Sequence, residues 1–324
     1  MNDKQIFDIK TSEEFEKTGL QLFKYQAKHN PVYKTYLNAL SVDATKINDL
    51  RSIPFLPISM FKTQQVITGN KPPVLQFASS GTGGAQSFHH LTDVEIYKQS
   101  FRKGFEQFFG NIKNTIILAL LPGYLERKNS SLVYMVNDLI KGTESELSGF
   151  YLDDYEQLYT KLREAYLGKK QVLLLGVSHA LLDFFELYNV RMPELTIMET
   201  GGMKGRRKEL IREDLHKQLS NASGTQNIVS EYGMTELLSQ AYYTTSKRFV
   251  PVPWMKVFSG DLYDPFSYTA YGQTGGLKII DLANANSCAF IETKDIGKVY
   301  SDGSFEVLGR FDNSDIRGCN LMVV

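Results

Sequence analysis

Two short runs of residues carry the chemistry that stands out in this sequence. The first, Ser79-Ser80-Gly81-Thr82-Gly83-Gly84, puts three glycines and three hydroxyl side chains into six positions. Glycine tolerates positive φ, so successive N–H groups can converge on one point, and hydroxyls add uncharged donors. Such a loop can cradle phosphate oxygens. It is not a Walker A loop, because no Gly-Lys-Ser/Thr follows, nor a dinucleotide fingerprint, because Gln86 takes the third glycine position. An ordinary surface loop has the same composition. The second run, Glu231-Tyr232-Gly233-Met234-Thr235-Glu236, offers a ring, a glycine, a hydroxyl and a carboxylate. Tyr232 suits stacking on a purine and Thr235 a bond to phosphate. Glu236 suits Mg²⁺, which takes carboxylate and phosphate oxygens together. The competing reading is a strand-to-helix turn with Thr235 near the N-cap and Glu236 favoured by the helix dipole.

Weaker signals lie around these. Glu199-Thr200-Gly201-Gly202 ends an apolar run, where bare backbone can line a flat ring; taken alone, a plain strand-to-helix turn is the simpler reading. Asp295 can accept from ribose hydroxyls and Arg310 can reach ribose or phosphate, although each alone reads as a turn residue. His89-His90 and His179 can line a site, but packing is the simpler role for the pair. Cys288 reads as a small buried residue, and by position alone Cys319 is an ordinary cysteine in a tail.

The elements that must position these residues follow from periodicity. Thr11 and Glu14 have capping-box spacing, and Phe15, Leu22 and Phe23 share a helical face, as do Tyr33, Leu37 and Leu40 beyond Asn30-Pro31. Apolar runs over 115–121, 171–176, 195–199 and 226–230 read as strands, with helices after several of them, over 179–188 and about 204–219. Continuous apolar strands alternating with helices imply a mainly parallel sheet covered on both faces. Ligands sit at the C-terminal ends of such strands. Phe101, Phe105, Phe108 and Phe109 have helical spacing and read as core. From about 251 the pattern turns to short strands, with a hairpin around Asp302-Gly303.

Bulk properties narrow the class. Lys plus Arg is 36 and Asp plus Glu is 36 among 324 residues, so there is no electrostatic footprint for nucleic acid or an anionic membrane. Two cysteines without C-x-x-C spacing make neither a disulfide framework nor a zinc site. The start, MNDKQIFDIK, lacks the basic and apolar pattern of a signal peptide, and the apolar runs are too short to span a bilayer. A cytoplasmic setting is expected.

In order along the chain, these pieces resemble the adenylate-forming superfamily of acyl-CoA synthetases, adenylation domains and luciferases. Residues 79–84 resemble its phosphate loop, 199–202 its adenine-side glycine segment, and 232–236 match its Tyr-Gly-x-Thr-Glu motif in full. Gly272-Gln273-Thr274-Gly275 resembles its Gly-Glu-x-Gly turn, Asp295 its ribose-binding aspartate, and Gly309-Arg310 the start of its hinge motif. Thr82-Gly83-Gly84 stands where Thr-Thr-Gly is usual, and Ala85-Gln86-Ser87 stands where a lysine often follows. Only 14 residues follow Arg310, so the C-terminal domain that supplies the family's adenylation lysine is expected to be absent. The length, the short end and Cys319 near it resemble the LuxE-type acyl-protein synthetase branch.

The resemblance implies a large α/β adenylate-forming domain over 1–308. Its helical segment covers about 1–45 and its small antiparallel β subdomain about 251–308; a hinge-like tail follows over 309–324. It implies ATP- and Mg²⁺-dependent activation of a carboxylic acid, of the fatty type, as an acyl-AMP. Ser79, Ser80, Gly81, Thr82, Gly83 and Gly84 would hold phosphates. Tyr232, Gly233, Gly201 and Gly202 would surround adenine, and Asp295 and Arg310 the ribose. Thr235 would meet the α-phosphate, Glu236 would hold the metal, and Cys319 would accept the acyl group for delivery to a protein such as an acyl reductase. Two alternatives remain: an aryl- or acyl-CoA ligase, and a non-catalytic acyl-nucleotide sensor or complex subunit.

Overall fold

The computed structural model describes residues 3–80, 85–123, 129–201, 210–244, 246–264 and 266–311. Of the residues singled out above, Gly81, Thr82, Gly83, Gly84, Gly202 and Cys319 lie outside them. The chain divides into two compact units. One is Pro73–Val252; the other joins Met1–Pro72 to the chain from Pro253 onward. The N-terminal helices and the β-rich part therefore belong to one unit, where the sequence suggests opposite ends of a single domain.

In Pro73–Val252 a sheet runs in the order Gly149–Phe150, Thr115–Leu120, Gln171–Val177, Thr196–Thr200, Ile228–Tyr232, Ala241–Tyr243, Phe249–Pro251. The pairings are parallel as far as Ile228–Tyr232 and antiparallel beyond it. Every residue of Thr115–Leu120 is buried, which is why that strand reads as an unbroken apolar run. Each such Ile or Leu contributes about 1.5–3 kcal/mol of burial free energy. The helix Val94–Phe109 is capped by Asp93 and buries Ile96, Tyr97, Phe101 and Phe105 along one face. Arg102 holds both carboxylate oxygens of Asp138, on the helix Ser131–Gly142, at 2.6 and 2.9 Å.

The other unit is built on antiparallel strands in the order Met255–Gly260, Thr274–Asp281, Phe290–Val299, Phe305–Arg310, with Leu56–Pro57 pairing parallel to Phe290–Val299. Its helix Ser12–His29 starts with the expected capping box: Glu14 N donates to Thr11 Oγ1, and Thr11 N to Glu14 Oε2. Gln26, fully buried on that helix, donates to the carbonyls of Asn284 and Ala285 and accepts from Ala289 N at 2.9–3.0 Å. Asn30 caps the helix Pro31–Ala39 through Tyr33 N and donates to Ser287 O. Cys288, between these anchors, is fully buried as expected. The hairpin turns at Gly303, whose φ of 82° a side chain would resist. The last strand continues through Arg310, so the segment that the sequence suggests as the beginning of a tail at 309 is still paired. Among the described residues no helix is long and apolar enough to cross a membrane.

Candidate active site

Ser79 and Ser80, which open the glycine and hydroxyl run, follow the first strand of a hairpin. Leu75–Ala78 pairs antiparallel with Phe88–Leu91, a feature the sequence pattern does not announce. Ser79 closes the neck: its N–H donates to Ser87 O at 3.0 Å, and its Oγ accepts from Ser87 N at 2.9 Å. Gln86 donates its amide to Ser79 O at 3.0 Å. Ser80, the next residue, is exposed. On the opposite side of the neck, Ala78 N donates to Asn129 O.

Tyr232 ends its strand, and the chain then turns back as Ala241–Tyr243, pairing Tyr232 with Ala241 and Ser230 with Tyr243. The strand-to-helix alternative for this motif therefore does not apply: 233–240 is a turn and loop between two strands. Glu236 is buried, Thr235 half-buried and Gly233 exposed. A Cβ at Gly233 would run into the Glu231 carboxylate, so the glycine leaves that oxygen room. The Tyr232 ring packs 5.6 Å from Phe249.

His89 joins the two segments. Its Nδ1 lies 2.8 Å from Thr235 O, across 146 positions of sequence. The imidazole is fully buried, which pushes its pKa down to about 4 against the opposing pull of the Thr235 bond. It is therefore neutral, and since a carbonyl only accepts, Nδ1 carries the proton. His90, beside it, is partly exposed; His179 is buried in the first turn of Ser178–Leu187.

Adjacent strand ends bring a second group together. Glu199 is buried, with Ser178 Oγ 3.0 Å from its Oε2, and Arg212 Nε and His216 Nε2 3.7 and 3.9 Å from its Oε1. Ser178 Oγ is also 2.8 Å from Gly201 O, and His216 Nε2 is 2.9 Å from Ser230 Oγ. Gly201 has a φ of 68°, which turns the chain sharply at the strand end. Burial raises the Glu199 pKa, but hydrogen bonds from His216 and Ser230 and the Arg212 charge outweigh it, leaving the carboxyl below its usual range. One strand over, Glu231 moves the other way, to about 7. Desolvation and the Glu199 charge raise it, against a 2.7 Å hydrogen bond from Thr200 Oγ1. Sequence reasoning gives neither carboxylate a role. The signal that points to them is a pair of matching strand ends, Glu199-Thr200-Gly201 and Glu231-Tyr232-Gly233.

Ser79, Ser80, Gly201, Tyr232, Gly233, Thr235 and Glu236 thus belong to one unit, Pro73–Val252, with several of them at the C-terminal ends of parallel strands. Asp295 and Arg310 belong to the other unit. They face each other across paired strands, with Arg310 Nε 3.9 Å from Asp295 Oδ1. Among the described residues no group of three or more His, Cys, Asp or Glu side chains is placed to cage a metal. The one buried carboxylate of Glu236 beside the Thr235 hydroxyl is a donor set suited to Mg²⁺, which takes its other ligands from phosphate and water.

The fold is shared with solved CoA ligases. The structure superposes on a 2-hydroxyisobutyryl-CoA ligase bound to 2-HIB-AMP and CoA with a TM-score of 0.72, at 12% identity, over 93% of this chain and 70% of that one. It superposes on ATP-bound MatB from Rhodopseudomonas palustris with a TM-score of 0.56, at 15% identity, over 75% of this chain and 49% of that one. The chain thus spans about half the length of MatB. Residues 8–324 match the family described as acyl-protein synthetase, LuxE, and the chain belongs to that family. A long-chain-fatty-acid–luciferin-component ligase of Vibrio harveyi is 23% identical over 327 residues, covering 92% of this chain and 84% of that protein.

Proposed function

We propose that the protein activates a fatty carboxylic acid with ATP and passes the acyl group to its own Cys319. The observation that carries this reading is the His89–Thr235 bond, which ties the Ser79–Ser87 hairpin to the Tyr-Gly-Met-Thr-Glu turn. Phosphate donors and the metal-binding carboxylate then serve one nucleotide. Ser79, Ser80, Gly81, Thr82, Gly83 and Gly84 hold the β- and γ-phosphates. Tyr232, Gly233, Gly201 and Gly202 surround adenine, and the resemblance assigns Asp295 and Arg310 to the ribose. Thr235 donates to an α-phosphate oxygen, placing phosphorus in line with the acid. When bound at Glu236, Mg²⁺ neutralises charge that builds on the phosphates.

A carboxylate oxygen of the acid attacks the α-phosphorus. The bond to the bridging oxygen breaks, and pyrophosphate leaves with that electron pair. The Cys319 sulfur, its proton lost to solvent, then attacks the acyl carbon, and AMP leaves as a thioester forms. Arg317, two residues away, and Arg310 favour the thiolate. The thioester is handed to an acyl-accepting protein such as a reductase, and the setting is cytoplasmic.

The test is incubation with ATP, Mg²⁺ and carboxylic acids of graded chain length, followed by intact-mass analysis of the wild type and Cys319→Ala. A hydroxylamine-labile acyl adduct on the wild type alone, with pyrophosphate released by both, is the expected result. Acyl transfer to coenzyme A by both proteins would instead make this a CoA ligase. ATP binding without pyrophosphate release would make it a sensor.

A further inference from the structure

The buried histidine at the base of the hairpin has no part in the chemistry just described, yet its ring bonds directly from the hairpin into the Thr235–Glu236 turn. From its place, fully buried on the strand Phe88–Leu91 with Nδ1 2.8 Å from the Thr235 carbonyl, we infer that His89 is a positioning residue, setting where Thr235 and Glu236 stand relative to the phosphate-holding hairpin. The inference rests on the proposed ATP site, and it adds a residue that touches neither nucleotide nor acid.

In the strand-end turn of eight residues, 233–240, Leu237 N donates to Met234 O, and the Thr235 carbonyl is met by the His89 ring. A half-buried carbonyl facing a fully buried ring loses free energy without a donor, so the imidazole N–H holds the turn against the strand Phe88–Leu91. The strand that carries His89 also closes the loop neck, because Ser87, two residues earlier, pairs with Ser79. One rigid strand therefore holds both the phosphate side and the metal side.

His89→Leu and His89→Asn test this in the full chain. Asparagine keeps an N–H near the Nδ1 position; leucine fills similar space without one. In acid-dependent ATP–pyrophosphate exchange, His89→Leu should lower kcat about 10- to 100-fold while KM for ATP changes by no more than about threefold, the pattern of a defect felt in the transition state rather than in ATP binding. His89→Asn should recover most of kcat, even if both variants melt at similarly lowered temperatures. Equal loss of kcat in both, tracking their melting temperatures, would overturn the inference and leave His89 a packing residue. A second readout does not depend on turnover. The ¹⁵N–¹H signature of the wild-type ring should report a proton on Nδ1, held in the hydrogen bond to Thr235 O. A ring protonated at Nε2 alone would overturn the inference. If the wild type exchanged no pyrophosphate with any acid, the proposed function would fail, and the ring signature would still decide whether His89 braces Thr235.

Discussion

Two groups of buried polar side chains contrast, one in each unit. The first helix of the β-rich unit is anchored by neutral amides, Gln26 and Asn30, which donate to backbone carbonyls over 284–287, Asn30 also to Thr68 Oγ1. In Pro73–Val252 the strand ends gather titratable groups among their buried and half-buried side chains. Glu199 is held ionised, Glu231 is balanced near neutrality, His89 is forced neutral, and Arg212 and His216 lie close by. Amides cement a fold without changing charge. Ionisable groups are costly to bury, and a cluster of them with pKa values driven apart marks the end of the sheet where chemistry is expected. The contrast gives the two groups opposite sensitivities: substitutions at the amide anchors should cost stability, and substitutions at the strand ends should cost activity or make stability depend on pH.

Glu236→Gln should give the largest effect. It removes the metal-binding charge from a site that stays folded, so pyrophosphate exchange should fall about 10²- to 10³-fold with little change in melting temperature. A variant that melts early and keeps its activity would break the comparison from the catalytic side. Gln26→Leu should do the reverse. It strands two carbonyls and one N–H, and should cost roughly 3 kcal/mol in urea unfolding while kcat of the folded fraction stays at the wild-type level.

Glu231→Gln sharpens the comparison through pH. The folded pKa of about 7 lies above the ordinary 4.5, so the folded state keeps a proton that the unfolded chain has lost. Stability from this group is complete below the unfolded value and is lost as pH rises through about 7. The glutamine variant, which never loses a proton, should therefore gain on the wild type between about pH 5 and 8, by roughly 1–3 kcal/mol at the upper end. Chemical denaturation across that range measures it, and a constant difference would refute it. Arg310→Ala should have the smallest effect on stability. The side chain is 63% exposed and its ion pair with Asp295 is long, so the change should stay within about 0.5 kcal/mol. A modest rise in KM for ATP would be its only functional trace.

The parts legible in the sequence are those with a local physical cause. Thr115–Leu120 and Gln171–Val177 show as strands because parallel strands buried on both faces must be apolar throughout. Thr11 and Glu14 mark the first helix because a capping box lies within four residues. The hairpin Leu75–Ala78 and Phe88–Leu91 stays hidden because Gln76, His89 and His90 interrupt any apolar run. The charge coupling of Glu199 to Glu231 depends on the parallel register that sets Thr200 beside Glu231, which no local pattern reports. His89 reads from sequence as packing. Packed it is, but its partner is a backbone carbonyl far along the chain, and a backbone atom leaves no mark in the sequence.

Hydrogen–deuterium exchange with and without MgATP tests most directly whether the hairpin and the Tyr-Gly-Met-Thr-Glu turn form one nucleotide site. The account predicts that amides of 79–87 and of 232–237 gain protection together, at the same ATP concentration, and that Glu236→Gln weakens both. Protection of one segment while the other exchanges as in the free protein would contradict it.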